Sequence, residues 1–140
     1  MSSPALTSRE TILVVDDDPE VLSLATDVLH MAGYTLLSTA DPRHALRLVG
    51  RHAEPIHLLL TDIVMPLMSG LQLAEEVRAL RPGVKILFMS AYRTEEIEDH
   101  RVRLTPRGLF LDKPFTVAWL QQIVRAVLDT PATIPWPRAK

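Results

Sequence analysis

Apolar positions fall into short continuous runs that alternate with stretches of helical spacing. The first run, Thr11-Ile12-Leu13-Val14-Val15, stops at Asp16-Asp17-Asp18-Pro19. Such an uninterrupted run predicts a strand buried on both faces, as in a parallel sheet. Beyond Pro19, apolar residues recur at 21, 22, 25, 28, 29 and 32 and stop at Gly33. That spacing predicts a helix, with Asp18 as its cap and Pro19 in its first position. The unit then recurs. Tyr34 to Thr39 reads as a strand, and Asp41-Pro42 opens a helix carrying Ala45, Leu46 and Val49. Ile56 to Leu60 is a strand ending at Thr61-Asp62, and residues 65–70 form a loop. Leu73, Ala74, Val77 and Leu80 make a helical stripe closed by Arg81-Pro82-Gly83. Val84 to Met89 is a buried strand ending at Ser90-Ala91. Residues 94–104 are strongly charged, with only Ile97, Val102 and Leu104 apolar, and give the weakest helix. Leu109-Phe110-Leu111 is a fifth strand, ending at Asp112-Lys113-Pro114. Val117, Leu120, Ile123, Val124, Val127 and Leu128 give the clearest amphipathic helix.

Five strands alternating with five helices predict a doubly wound α/β sandwich with a parallel sheet. Right-handed crossovers put helices on both faces. One domain accounts for residues 11–129, with a flexible lead-in over 1–10 and a flexible tail over 130–140. The length of 140 residues leaves no room for a second domain. Fifteen Lys and Arg against 17 Asp and Glu argue against nucleic-acid binding through bulk charge. The absence of cysteine excludes disulfides, thiolate metal sites and cysteine nucleophiles. The five glycines are too scattered for either standard nucleotide-binding loop. No apolar stretch is long enough to span a membrane, and the first residues do not resemble a signal peptide. A cytoplasmic protein is the expectation.

The strand ends carry the chemistry. Strand one delivers Asp16 and Asp17, strand three Asp62, strand four Ser90 and strand five Lys113. For strand order 2-1-3-4-5, the crevice at the carboxyl edge lies between strands one and three, where the three acids converge. Clustered carboxylates repel, and at least one pKa should rise. A hard divalent cation relieves this; oxygen-only ligands favour Mg2+, with Mn2+ or Ca2+ as alternatives. A metal, a lysine and a hydroxyl around one carboxylate suit phosphoryl transfer, with the carboxylate as nucleophile. Taken singly, Asp16-Asp17-Asp18 could be a capping turn, Lys113 a solvated lysine and Ser90 a strand-end hydroxyl. Met65, Met68 and Met89 read as packing, and the five histidines show no ligand spacing.

Val14-Val15-Asp16-Asp17-Asp18, Thr61-Asp62-Ile63-Val64-Met65-Pro66 with Gly70, Ser90-Ala91, and Lys113-Pro114-Phe115 together resemble the receiver domain of bacterial two-component response regulators. The resemblance runs over about 11–129 and implies the flavodoxin-like (βα)5 fold. It implies Asp62 as phosphoacceptor from a histidine kinase or histidine phosphotransfer protein. It also implies Mg2+ held by Asp16, Asp17, Asp62 and the main-chain carbonyl of Val64. Ser90 and Lys113 would meet the phosphoryl group, Phe110 would be the switch aromatic, and Lys113-Pro114 is a candidate cis bond. Phe110 departs from the common tyrosine, so a switch through it rests on ring rotation. The wording around Ser90 and Lys113 is most similar to receivers of hybrid sensor kinases. The function implied is a phosphoacceptor switch rather than a turnover enzyme. Its output face would be residues 94–128, with no direct nucleic-acid contact and homodimerisation on phosphorylation left open. The alternatives are a phosphate-sink module of a hybrid histidine kinase and a degenerate receiver used only for protein contacts. A third is an aspartyl-phosphate phosphatase, against which Val64 counts, because it stands where such an enzyme needs a second acid.

Overall fold

The structure, a computed structural model, describes residues 10–90, 102–105 and 108–130. The elements run β1 (Thr11–Val15), α1 (Pro19–Met31), β2 (Thr35–Thr39), α2 (Pro42–Arg51), β3 (Leu58–Asp62), α3 (Gly70–Leu80), β4 (Lys85–Ser90), β5 (Val102–Thr105), β6 (Gly108–Asp112) and α4 (Val117–Asp129). Each helix begins where a side-chain oxygen satisfies an amide that has no partner in the first turn. Asp18 accepts from Glu20 N at 3.0 Å and Asp41 from Arg43 N at 2.8 Å, each followed by a proline that needs no donor. Ser69 and Thr116 do the same for α3 and α4.

The sheet has the order β2-β1-β3-β4-β6-β5. The first five strands are parallel, so the expected doubly wound order is present, with β6 as its fifth strand. The sixth departs from expectation. Residues 102–104, read as the end of a charged helix, belong to β5, which pairs antiparallel with β6 from Val102↔Leu111 to Thr105↔Gly108. Val102 and Leu104 flank Arg103, and so short an alternation fits period two as well as a helical stripe. The open side of β6 decides between them by offering a ladder. The rest of the expected 94–104 helix, the 1–9 lead-in and the 131–140 tail lie outside the described residues.

Two apolar layers enclose the sheet. Ile12, Val14, Leu58, Leu60, Leu87 and Met89 pack with residues of α1 and α4. Leu13, Val15, Leu59, Ile86 and Phe88 pack with residues of α2 and α3. Every residue of β1 and β3 is buried, which is why neither strand alternates in sequence. At the edge of the sheet away from the strand ends, two cations hold helix termini. The Arg81 guanidinium donates to the carbonyls of Val49, His52 and Glu54, around the end of α2. Lys85 Nζ donates to Leu128 O at 2.8 Å and to Thr130 O, at the end of α4. Both placements suit the negative end of a helix dipole.

Candidate functional site

The carboxyl ends of β1, β3 and β6 meet at one crevice. Asp16 is fully buried (0% exposed) at the end of β1, and both its oxygens are engaged. Oδ1 accepts the Asp18 amide at 2.9 Å, and Oδ2 accepts Lys113 Nζ at 2.8 Å. The same ammonium lies 3.2 Å from Asp62 Oδ1. Asp17 is exposed beside them, and one carboxylate oxygen from each of Asp16, Asp17 and Asp62 lies within 4.8 Å of the others.

The electrostatics follow from this crowding. The Asp62 carboxyl is pushed above its ordinary value by burial first and by the Asp16 charge second, while Lys113 pulls it back only in part. Burial works against the Lys113 charge, but the hydrogen bond and charge of Asp16, then those of Asp62, outweigh it and raise its pKa. Three acids share one lysine, so the site is under-neutralised. Its donors are hard carboxylate oxygens, one of them solvent-facing on Asp17. That set fits Mg2+ or Mn2+ and offers nothing to a soft metal.

The remaining predicted residues are arranged around this centre. Ser90 is buried at the end of β4, and its main-chain oxygen accepts the Lys113 amide at 2.8 Å. The Lys113-Pro114 bond is cis. Phe110 is half-buried on β6, with its ring centroid 5.1 Å from that of Phe88 and tilted by 42°. Val64 lies on the loop after β3 with its apolar side chain 78% exposed. The same loop holds Leu67 at φ 78°, a left-handed conformation that a branched side chain adopts at a cost. Met65 and Met89 are core residues, as their packing role requires.

Two features at Asp62 escaped the reading of the sequence. The Thr61 hydroxyl donates to the main-chain oxygen of Asp62 at 2.9 Å. Gly70 abuts that same oxygen, and its amide donates to Ile63 O at 2.8 Å. The available signals were a threonine between a run of leucines and Asp62, and a glycine opening a helix.

Among the described residues no helix is long and apolar enough to cross a membrane. A family model of the response regulator receiver domain matches residues 12–125. The chain is 31% identical over 127 residues to the sensor kinase CckA of Brucella abortus, covering 89% of this chain and 13% of that protein. It is 33% identical over 133 residues to the DNA-binding transcriptional regulator NtrC of Azospirillum brasilense, covering 91% of this chain and 27% of that one. It therefore spans only a fraction of these relatives' length. Among solved structures, the receiver domain of the hybrid histidine kinase CckA superposes with a TM-score of 0.70 at 30% identity, over 85% of this chain and 99% of that domain. Together with the convergence of Asp16, Asp17, Asp62 and Lys113 at one sheet edge, these matches show that the chain belongs to the family of response regulator receiver domains.

Proposed function

We propose that this receiver accepts a phosphoryl group from a phosphohistidine of a histidine kinase or histidine phosphotransfer protein onto Asp62. The observation that carries the reading is the pairing of Asp62 with Lys113 at 3.2 Å inside a cluster of three acids. An oxygen of Asp62 attacks phosphorus, the phosphorus–nitrogen bond breaks, and the imidazole leaves with the bonding pair. The product is an acyl phosphate on Asp62. Lys113 is within reach of the new phosphoryl oxygens once it releases Asp62, while Asp16 keeps it aimed from the other side. Ser90 would donate its hydroxyl to another phosphoryl oxygen.

Asp17 and Asp62 would hold Mg2+, with the Val64 carbonyl as a further ligand. The ion would supply positive charge to the moving phosphoryl group. Asp16 would act on it through water, because Asp18 N and Lys113 already occupy both its oxygens. The protein would not turn over. Val64 offers an attacking water neither a base nor a hydrogen-bond partner from its side chain, so the phosphoryl group would be long-lived. Tyr92, two residues past Ser90 in the sequence, would screen the approach of that water, and it lies outside the described residues.

Acetyl phosphate with Mg2+ tests the reading. Acid-labile label on the wild-type protein and none on Asp62→Asn is the expected result, and full labelling of that variant would overturn it. The similarity to a hybrid-kinase receiver supports a second reading, a phosphate-sink module. Hydrogen exchange with and without a beryllofluoride mimic separates the two. Changes reaching 91–112 support a switch that regulates a partner through the 94–128 face, and changes confined to 62–69 support the sink. A cytoplasmic setting goes with either.

A further inference from the structure

Thr61 stands in the core where the packing asks for no hydroxyl. Leu58, Leu59 and Leu60 precede it in β3, and all four side chains are fully buried. Alternation along the strand puts Thr61 on the side of Leu59, the face covered by α2 and α3. Valine has the same shape, at least as strong a preference for strands and no polar group to satisfy. A buried hydroxyl is costly unless it is bonded, and this one donates to the main-chain oxygen of Asp62 at 2.9 Å. That oxygen is also bounded by Gly70, where a Cβ would come within 1.9 Å of it. The next carbonyl, of Ile63, accepts the Gly70 amide at 2.8 Å.

We propose that Thr61 is a positioning residue for the phosphoacceptor site. Its hydroxyl fixes the direction of the Asp62 carbonyl and therefore the ψ angle of Asp62. That angle leaves the carboxylate on the strand but decides where the following loop carries Val64. Thr61 thus sets the distance between two metal-holding groups, the Asp62 carboxylate and the Val64 carbonyl, without touching either. This rests on the metal and phosphoacceptor reading given above.

The test compares Thr61→Val, which removes the hydroxyl and keeps the shape, with Thr61→Ser, which keeps the hydroxyl. Mg2+ affinity, acetyl phosphate labelling at saturating Mg2+ and melting temperature are measured for each. The valine variant is expected to bind Mg2+ about fivefold more weakly, the size of one neutral hydrogen bond. It should also label more slowly, with a melting temperature close to that of the wild type. The serine variant should recover both. Thr61→Ala removes the hydroxyl with a different shape and must show the same loss of affinity, which keeps the test open if the valine variant folds poorly. Wild-type affinity in Thr61→Val, or equal defects in the valine and serine variants, would overturn the proposal. If the wild-type protein takes no label, the phosphoacceptor reading fails, while the Mg2+ affinities still decide the role of Thr61.

Discussion

A β-carbon on Gly70 would stand 1.9 Å from the main-chain oxygen of Asp62, so the first residue of α3 and the last of β3 meet backbone to backbone. Neither side of that contact is a flexible side chain that could give way. Gly70→Ala must push α3 off the strand end or twist the Asp62 peptide. The expected cost is about 1–3 kcal/mol of stability, as for other overpacked sites. Acetyl phosphate labelling should fall further than the folded fraction does. Denaturant titration beside labelling checks this, and a variant with unchanged stability would mean that the contact is softer than its geometry implies.

Asp62→Asn should stabilise the metal-free protein at neutral pH. The folded protein holds the Asp62 proton above the ordinary value of 3.8, chiefly because the carboxyl is buried and faces Asp16. Between the ordinary and the raised value the folded state binds more protons than the unfolded state, so stability falls as pH rises through that window. The full penalty stands above it. Asparagine never ionises and escapes it. Its melting temperature should exceed that of the wild type at pH 7, and the gap should close as pH falls below 3.8. A gap that widens on acidification would reverse the sign of the argument.

Lys113 bears on stability as well as on the proposed chemistry. It is the counter-charge of a fully buried Asp16, and its own side chain is only 14% exposed. Lys113→Ala leaves Asp16 without that partner. The expected loss at neutral pH is about 2–3 kcal/mol, below the range for breaking a fully dry ion pair because one end reaches solvent. The raised Lys113 pKa means that its contribution is intact below 10.5 and disappears as pH climbs through the folded value. Equilibrium unfolding at neutral pH, with and without Mg2+, checks the first point, and unfolding of the wild type followed as pH rises past 10.5 checks the second. Mg2+ should restore part of the loss, and no response to the ion would count against charge as the cause.

Asp17 is the exposed member of the acid cluster. Asp17→Ala should leave metal-free stability within about 0.5 kcal/mol of the wild type, as expected for a surface change. Mg2+ affinity should drop at least about tenfold, equivalent to roughly 1.4 kcal/mol. The rise in melting temperature on adding Mg2+ should shrink with it. Calorimetric titration showing wild-type affinity would remove Asp17 from the ligand set.

The site was legible in the sequence where chemistry coincides with a strand end. Asp16, Asp17, Asp62, Ser90 and Lys113 each follow an apolar run, and a parallel sheet gathers such positions at one edge. The caps at Asp18 and Asp41 were legible because acid-proline pairs have a local meaning. Distances were not legible. Nothing in the order of residues says that Lys113 lies nearer Asp16 than Asp62, since 97 positions separate the first pair. The bond from Thr61 to Asp62 and the approach of Gly70 depend on how β3 turns into its loop. The β5 strand was missed because Val102-Arg103-Leu104 is too short to carry a period, and its partner strand chose for it.

The bonds from Arg81 and Lys85 to the ends of α2 and α4 govern how the domain can deform. Each helix is fastened at the pole away from the acids, while its other end follows the carboxyl end of a strand, at the edge of the sheet that carries the crevice. A fastened rod cannot slide along its axis without breaking bonds to several carbonyls at once, but it can swing. A sub-ångström push delivered at the crevice would therefore become a rotation about a fulcrum at the base of the sheet. The amplitude would grow with distance from that fulcrum and be largest in the turns at the crevice end. Cutting either fastening, by Arg81→Met or Lys85→Met, would exchange a lever for a float.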